Sequence, residues 1–190
     1  VAPGWPEKAA ELAYKDASIS HVKNGIYGEM LFAAIIAAAF TAKTLDQSID
    51  EGLAEIPKTS RLFEAIQQVR TWVIEDKDSM KTISRIRDVY GRYHAVHTIN
   101  NTAIVINALC YSEGDYEKAI TLAVMGGWDT DCNGATAGSI MGAFLGAAQL
   151  PHKWTGPLND TLHSDVVGFT HSRFTDLAER TLVQAKKITG

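Results

Sequence analysis

An all-α fold is what this sequence predicts, and three observations predict it. Apolar residues recur at intervals of three and four along most of the chain, as on one face of a helix. Start and stop signals bracket those stretches: Pro6, Thr44-x-x-Gln47 and Asp115 at starts, Gly91 and Gly126-Gly127 at ends. The composition is that of a folded domain of ordinary size, with 190 residues, 46% hydrophobic and 21% charged. Such a length can bury a core without disulfides or a structural metal. The expected architecture is one compact, orthogonal multi-helix domain over residues 1–190.

The elements follow in order. Pro6 suits the first turn of a helix carrying Ala9, Leu12 and Ala13. The apolar run Met30 to Phe40 would span only about 16 Å as a helix, whereas a bilayer core needs about 20 residues. It therefore reads as a buried, Ala-rich core helix and not a membrane span. Extending it to Gly25–Ala42 brings in Glu29, which either meets a polar partner or faces a cleft. Thr44 and Gln47 have capping-box spacing. Leu62, Ile66, Val69 and Val73 form one stripe, and Ile83, Ile86 and Tyr90 another. Ile104-Val105-Ile106 is β-branched and could be a strand, but its apolar flanks and lack of strand partners favour a buried helix. Asp115 can cap a helix whose inner face is Tyr116, Ala119, Ile120, Ala123 and Val124. Residues 151–171 read as a long irregular stretch, with Val166-Val167 as a candidate short strand. From Phe174 through Leu177, Ala178, Thr181, Leu182 and Ala185 to Ile188 the helical rhythm returns.

Charge and cysteine usage exclude several functions. Eighteen Lys+Arg against 22 Asp+Glu give a net charge of −4, and no dense basic cluster exists, so nucleic acid is not an expected partner. Cys110 and Cys132 have no CxxC spacing and establish neither a disulfide nor a zinc site. His152, His163 and His171 have no known metal-ligand spacing and read as solvated loop residues. His94 and His97 can share a helical turn, but no Cys or carboxylate partner stands near them. No Gly-x-Ser-x-Gly elbow occurs. No basic segment followed by an apolar one opens the chain, so the cytoplasm is the expected compartment.

The stretch Met125 to Gly134 carries the most chemistry. A helix stops at Gly126-Gly127, and the next is expected to begin near Asn133. On that next helix Gly134, Gly138, Gly142 and Gly146 recur every four residues and form a bare ridge. Interior glycines cost about 1 kcal/mol each relative to Ala, so the ridge should gain something from close approach by a helix or a ligand. Ile140, Met141, Phe144, Leu145 and Ala148 would supply the opposite, core-packing face. Asp129 and Asp131 admit two readings. Either they cap the helix N-terminus, or, with Thr130 and Asn133, they offer hard oxygens to Mg²⁺, Mn²⁺ or Ca²⁺. Trp128 could stack on a base or anchor the core. Cys132 lies beside a helix N-terminus, which favours reactivity, but its two Asp neighbours raise its pKa and oppose it.

The string from Gly126 through Trp128-Asp129-Thr130-Asp131-Cys132-Asn133 to Gly138 resembles the C-terminal motif of the ADP-ribosylglycohydrolase family. Asp16-Ala17-Ser18-Ile19-Ser20-His21 is similar to that family's Asp-Ala…Thr-His segment. Gly114-Asp115-Tyr116-Glu117-Lys118-Ala119-Ile120 resembles the helix leading to its metal loop, and Leu150-Pro151-His152-Lys153-Trp154 its Pro-x-x-Trp. The likeness runs from about residue 10 to 185.

The resemblance implies an all-α fold of this family's type and hydrolysis of the glycosidic bond at C1″ of ADP-ribose, on a protein or a small compound. It implies Mg²⁺ or Mn²⁺, two ions in the complete protein, held by Asp129 and Asp131, with Asp131 able to bridge. His21 would lie near the substrate ribose, with His97 in the same cleft. Gly126 and Gly127 would let backbone approach the substrate. A non-catalytic ADP-ribose-binding relative is the alternative. Two departures stand out. Cys132 occupies the place where many members have a metal-coordinating Thr. The family's N-terminal Thr-Asp-Asp, with the acidic residues implicated in catalysis, has no counterpart, so the catalytic residues cannot be assigned. The chain is accordingly expected to lack an N-terminal portion of the fold and to pair with it or self-associate through an exposed apolar face.

Overall fold

Helix α6, Thr98–Ser112, occupies the centre of the molecule, with 12 of its 15 residues buried. Around it pack α2 (Asn24–Ala39), α3 (Leu45–Ala54), α4 (Arg61–Asp76), α5 (Ser79–Tyr90), α7 (Tyr116–Met125) and α8 (Thr130–Leu145). A computed structural model describes residues 2–189, and the fold is all-α apart from one small hairpin. The β-branched run Ile104-Val105-Ile106 lies in α6, each residue at most 1% exposed. Helices on every side supply apolar surface but no strand edge, so burial overrides the local preference. Among the described residues no helix is long and apolar enough to cross a membrane.

The outer helices are set by caps and stripes. Thr44 Oγ1 accepts the Gln47 N–H at 3.1 Å, and Gln47 Oε1 reaches back to the Lys43 N–H at 3.0 Å. Ser60, Asp78 and Asp115 cap α4, α5 and α7 in the same way. Leu62, Ile66 and Val69 of α4 and Ile83 and Ile86 of α5 are buried against α6. Each such side chain contributes roughly 1.5–3 kcal/mol by leaving water. Helix α1 (Pro6–Ala17) lies on α2. Helix α3 approaches α2 so closely that a Cβ on Gly52 would sit 2.4 Å from Ile35 Cγ1, which only glycine permits.

Several expectations need correction. Helix α8 begins at Thr130, three residues before Asn133, because Asp131 in its first turn takes up free N–H groups. The glycine ridge is used over half its length. Gly134 and Gly138 meet Val124, Ile120 and Tyr116 of α7, whereas a Cβ on Gly142 would meet nothing within 4 Å among the described residues and Gly146 lies past the helix end at φ +76°. Ala148 is likewise exposed beyond the helix, and Val124 is 43% exposed at the rim of α7. Residues 151–171 are not irregular throughout. A short helix α9 (His152–Thr155) precedes β1 (Thr161–His163), which pairs antiparallel with β2 (His171–Arg173). Val166-Val167 lie in the exposed connection of that hairpin rather than in a strand, because the chain reverses there at Gly168, φ +81°. Strand β2 leads directly into α10 (Phe174–Thr189), on which Phe174, Leu182 and Val183 stay exposed.

Candidate active site

The site begins with the turn that ends α7. Arg87, on α5, donates from Nη2 to the Gly126 carbonyl at 3.0 Å. Gly127 then adopts φ +80° and Trp128 φ +58°. A left-handed tryptophan costs roughly 1–2 kcal/mol, offset by packing of its ring against the main core. The double left-handed step turns the chain so that Asp129 arrives at the N-cap of α8.

Asp129 does not cap that helix: its side chain accepts no cap hydrogen bond. Its own N–H donates to Asn101 Oδ1 at 3.2 Å, and Asn133 Nδ2 donates to the same oxygen at 2.8 Å. The other end of the Asn101 amide donates to the carbonyls of Ala95 at 2.7 Å and His97 at 2.9 Å. The backbone N–H groups that open α8 are served by Asp131. A hydrogen bond shared with Asp129, and then the N–H groups of Asp131 and Cys132, hold the Asp131 carboxyl below the usual carboxylate range. The same Asp129 pushes the Cys132 thiol up. One ligand atom from each of Asp129, Asp131 and Cys132 lies within 4.8 Å of the others.

Beside this cluster a cleft of about 1060 Å³ opens between α1, α2 and the first turns of α6 and α8. Asp129, Cys132, Asn101 and Asn133 line one end, with His21, Ser20, Glu29, Asp16 and His97 around it. Leu12, Phe32, Ile36 and Phe40 make the apolar remainder. His21 precedes α2 and shares a 2.8 Å hydrogen bond between its Nδ1 and Ser20 Oγ, with Glu29 Oε1 at 3.8 Å. A Cβ on Gly25 would approach the His21 side chain to 3.1 Å, so the bare glycine gives the imidazole room. His97 is the N-cap of α6, its Nδ1 accepting the Ile99 N–H at 3.1 Å. Its ring stacks on Tyr93 with centroids 4.4 Å apart, and burial lowers its pKa. Neutral His97 must therefore carry its proton on Nε2.

A family model for ADP-ribosylglycohydrolases matches residues 1–188. The chain belongs to the ADP-ribosylglycohydrolase family. No curated protein and no solved structure matches it. Membership points to a glycohydrolase-type hydrolase, and the family is generally metal-dependent. The donor set fits a hard divalent cation in part. Two carboxylates with oxygens within 4.8 Å of each other are a pair that such an ion would bring together and satisfy. Cys132 is the misfit, since a neutral thiol is a poor ligand for Mg²⁺.

Of the glycohydrolase residues singled out from sequence, Asp129, His21 and His97 line one cleft. Asp131 stands beside Asp129 without lining it. Gly126, Gly127 and Trp128 do not line it either. A Cβ on Gly126 would lie 2.3 Å from Ile104 Cγ2, Gly127 faces Arg87, and Trp128 packs against the core. Asn101 and Arg87 escaped sequence reasoning. The only signal was an Asn pair at the start of an otherwise apolar helix.

Proposed function

We propose that this family member hydrolyses the glycosidic bond at C1″ of ADP-ribose, on a protein or a small ADP-ribosyl compound, with Mg²⁺ or Mn²⁺ held by Asp129 and Asp131. The observation that carries the reading is the convergence of Asp129, His21 and His97 on one cleft large enough for a nucleotide sugar. The bound ion would act as Lewis acid and template for the distal ribose. Asp129 and Asp131 fix the cation, and Asn101 sets the backbone from which Asp129 projects. His97, protonated on Nε2, donates to a ribose or phosphate oxygen. His21, steadied by Ser20, orients a ribose hydroxyl.

The test is Asp131→Ala. Metal-dependent turnover should fall at least a hundredfold while the far-UV spectrum and cooperative melting are retained. Normal turnover by that variant removes the assignment. Cys132, in place of a hydroxyl ligand, favours a second reading: a relative that binds ADP-ribose without cleaving it. Calorimetry with ADP-ribose separates the two. Binding that requires Mg²⁺ supports the hydrolase, and binding indifferent to Mg²⁺ supports the reader.

A further inference from the structure

His163 and His171 are eight residues apart in sequence and directly opposite each other across the β1–β2 hairpin. The kind of opposition is fixed by the backbone bonds on either side. The Ser164 N–H donates to the Thr170 carbonyl at 3.2 Å, and the Phe174 N–H to the Asp160 carbonyl at 3.3 Å. Hydrogen-bonded and non-hydrogen-bonded pairs alternate along an antiparallel ladder. With 164 opposite 170 and 160 opposite 174 in the hydrogen-bonded class, the pair 163/171 belongs to the other class. There the side chains of opposed residues stand closest. The imidazole centroids are 4.6 Å apart, with the rings inclined at 82°.

That spacing has a chemical meaning. With metal–nitrogen bonds of about 2.1 Å, two imidazoles at right angles on one ion hold their centroids about 4.6 Å apart, and at a tetrahedral angle about 5.3 Å apart. The observed separation matches the right-angled case. Square-planar, tetragonal and octahedral ions offer such adjacent positions, and imidazole suits Cu²⁺, Ni²⁺ and Zn²⁺ far better than Mg²⁺.

The hairpin is also held without any metal. Asp160 accepts from the Thr175 N–H at 3.0 Å, the Thr175 hydroxyl at 2.7 Å and Arg173 Nε at 3.0 Å, clasping the base to α10. Ser164 Oγ donates to the Phe169 carbonyl at 2.8 Å near the tip, and Arg180 of α10 lies 4.7 Å over the Phe169 ring. The two histidines sit between these fastenings, so an ion has little chain to order on binding.

We propose that His163 and His171 form a cross-strand bis-imidazole chelate for a divalent transition cation, Cu²⁺ or Ni²⁺ before Zn²⁺, separate from the oxygen-rich cluster at Asp129. Water fills the remaining positions, and the bound ion ties β1 to the strand that leads into α10. The inference stands independently of the proposed hydrolase activity.

The test uses the untagged full chain carrying Asp129→Asn, Asp131→Asn and Cys132→Ser, which removes the competing cluster at the start of α8. Calorimetric titration with Cu²⁺ and with Ni²⁺ is combined with electron paramagnetic resonance of the Cu²⁺ complex. The expected result is one site with two nitrogen couplings, a dissociation constant weakened at least tenfold by either His163→Ala or His171→Ala, and retention of the site in His152→Ala. Slowed amide exchange across 161–173 on Ni²⁺ addition accompanies it. An affinity in His163→Ala or His171→Ala equal to that of the protein with both histidines, or loss of the site with His152→Ala instead, overturns the proposal.

Discussion

Asn101 holds Asp129 by its backbone: the carboxamide oxygen accepts the Asp129 N–H at 3.2 Å, while the amide nitrogen donates to the His97 carbonyl at 2.9 Å. One side chain thus couples the acidic loop to the first turn of the central helix. Asn101→Ala is expected to leave Asn133 Nδ2 with only its long 3.4 Å contact to Gly127 O, at a cost of about 1–3 kcal/mol. Cation affinity should weaken between tenfold and a hundredfold, the usual range for residues that orient ligands. Titration with Mn²⁺ alongside a melting curve checks both, and an unchanged affinity would contradict the coupling.

The imidazole cap on α6 makes stability depend on pH. Burial lowers the His97 pKa, so the unfolded chain binds the proton more readily than the folded one. The folded state therefore has its full stability above the unfolded value of about 6.5 and loses it as pH falls below that value. Protonation also removes the Nδ1 acceptor that holds the Ile99 N–H, a cap of roughly 1 kcal/mol. His97→Asn keeps a capping oxygen and does not titrate, so its denaturation midpoint should change less between pH 7.5 and pH 5.5 than the parent's. An identical fall in both proteins would show that other groups govern the acid response.

The glycine positions can be told apart by substitution. A Cβ at Gly126 meets Ile104 at 2.3 Å, so Gly126→Ala should destabilise by about 1–3 kcal/mol. A Cβ at Gly142, inside α8, meets nothing within 4 Å, so Gly142→Ala should stabilise by roughly 0.5–1 kcal/mol. Urea denaturation of the two variants provides the comparison. Equal effects would contradict the close approach of Gly126 to Ile104 or the open space at Gly142.

On the proposed reading of the cluster as a cation site, Cys132 would bias which ion it takes. Cys132→Thr replaces a thiol by a hydroxyl oxygen, a harder donor. Mg²⁺ should bind the variant about tenfold more tightly, while affinity for softer cations such as Cd²⁺ falls. Competition titrations measure the ratio, and no change in it would place the thiol outside the coordination sphere.

Much of this was legible in the residues. Caps such as Thr44 and Asp115 act within one turn, and the stripe from Leu62 to Val69 needs only a neighbouring surface, so both can be read locally. The acidic loop was legible for the same reason, as its carboxylates lie two residues apart. Asn101 was not, because its partners Asp129 and Asn133 are 28 and 32 residues away. The neighbours of Gly126 and Gly127 were out of reach of local reading for the same reason: Ile104 and Arg87 are 22 and 40 residues away in the chain and lie against them only in the fold. The His163/His171 pair stayed hidden because a spacing of eight residues acquires meaning only once the hairpin register is known.

Gly28 on α2 comes so near α6 that a Cβ there would stand 2.3 Å from Thr98 Oγ1. Both residues belong to the wall of the cleft. Along this seam bare backbone abuts a hydroxyl, so any side chain introduced at position 28 would have to push Thr98 aside and so disturb the wall that α2 and α6 share.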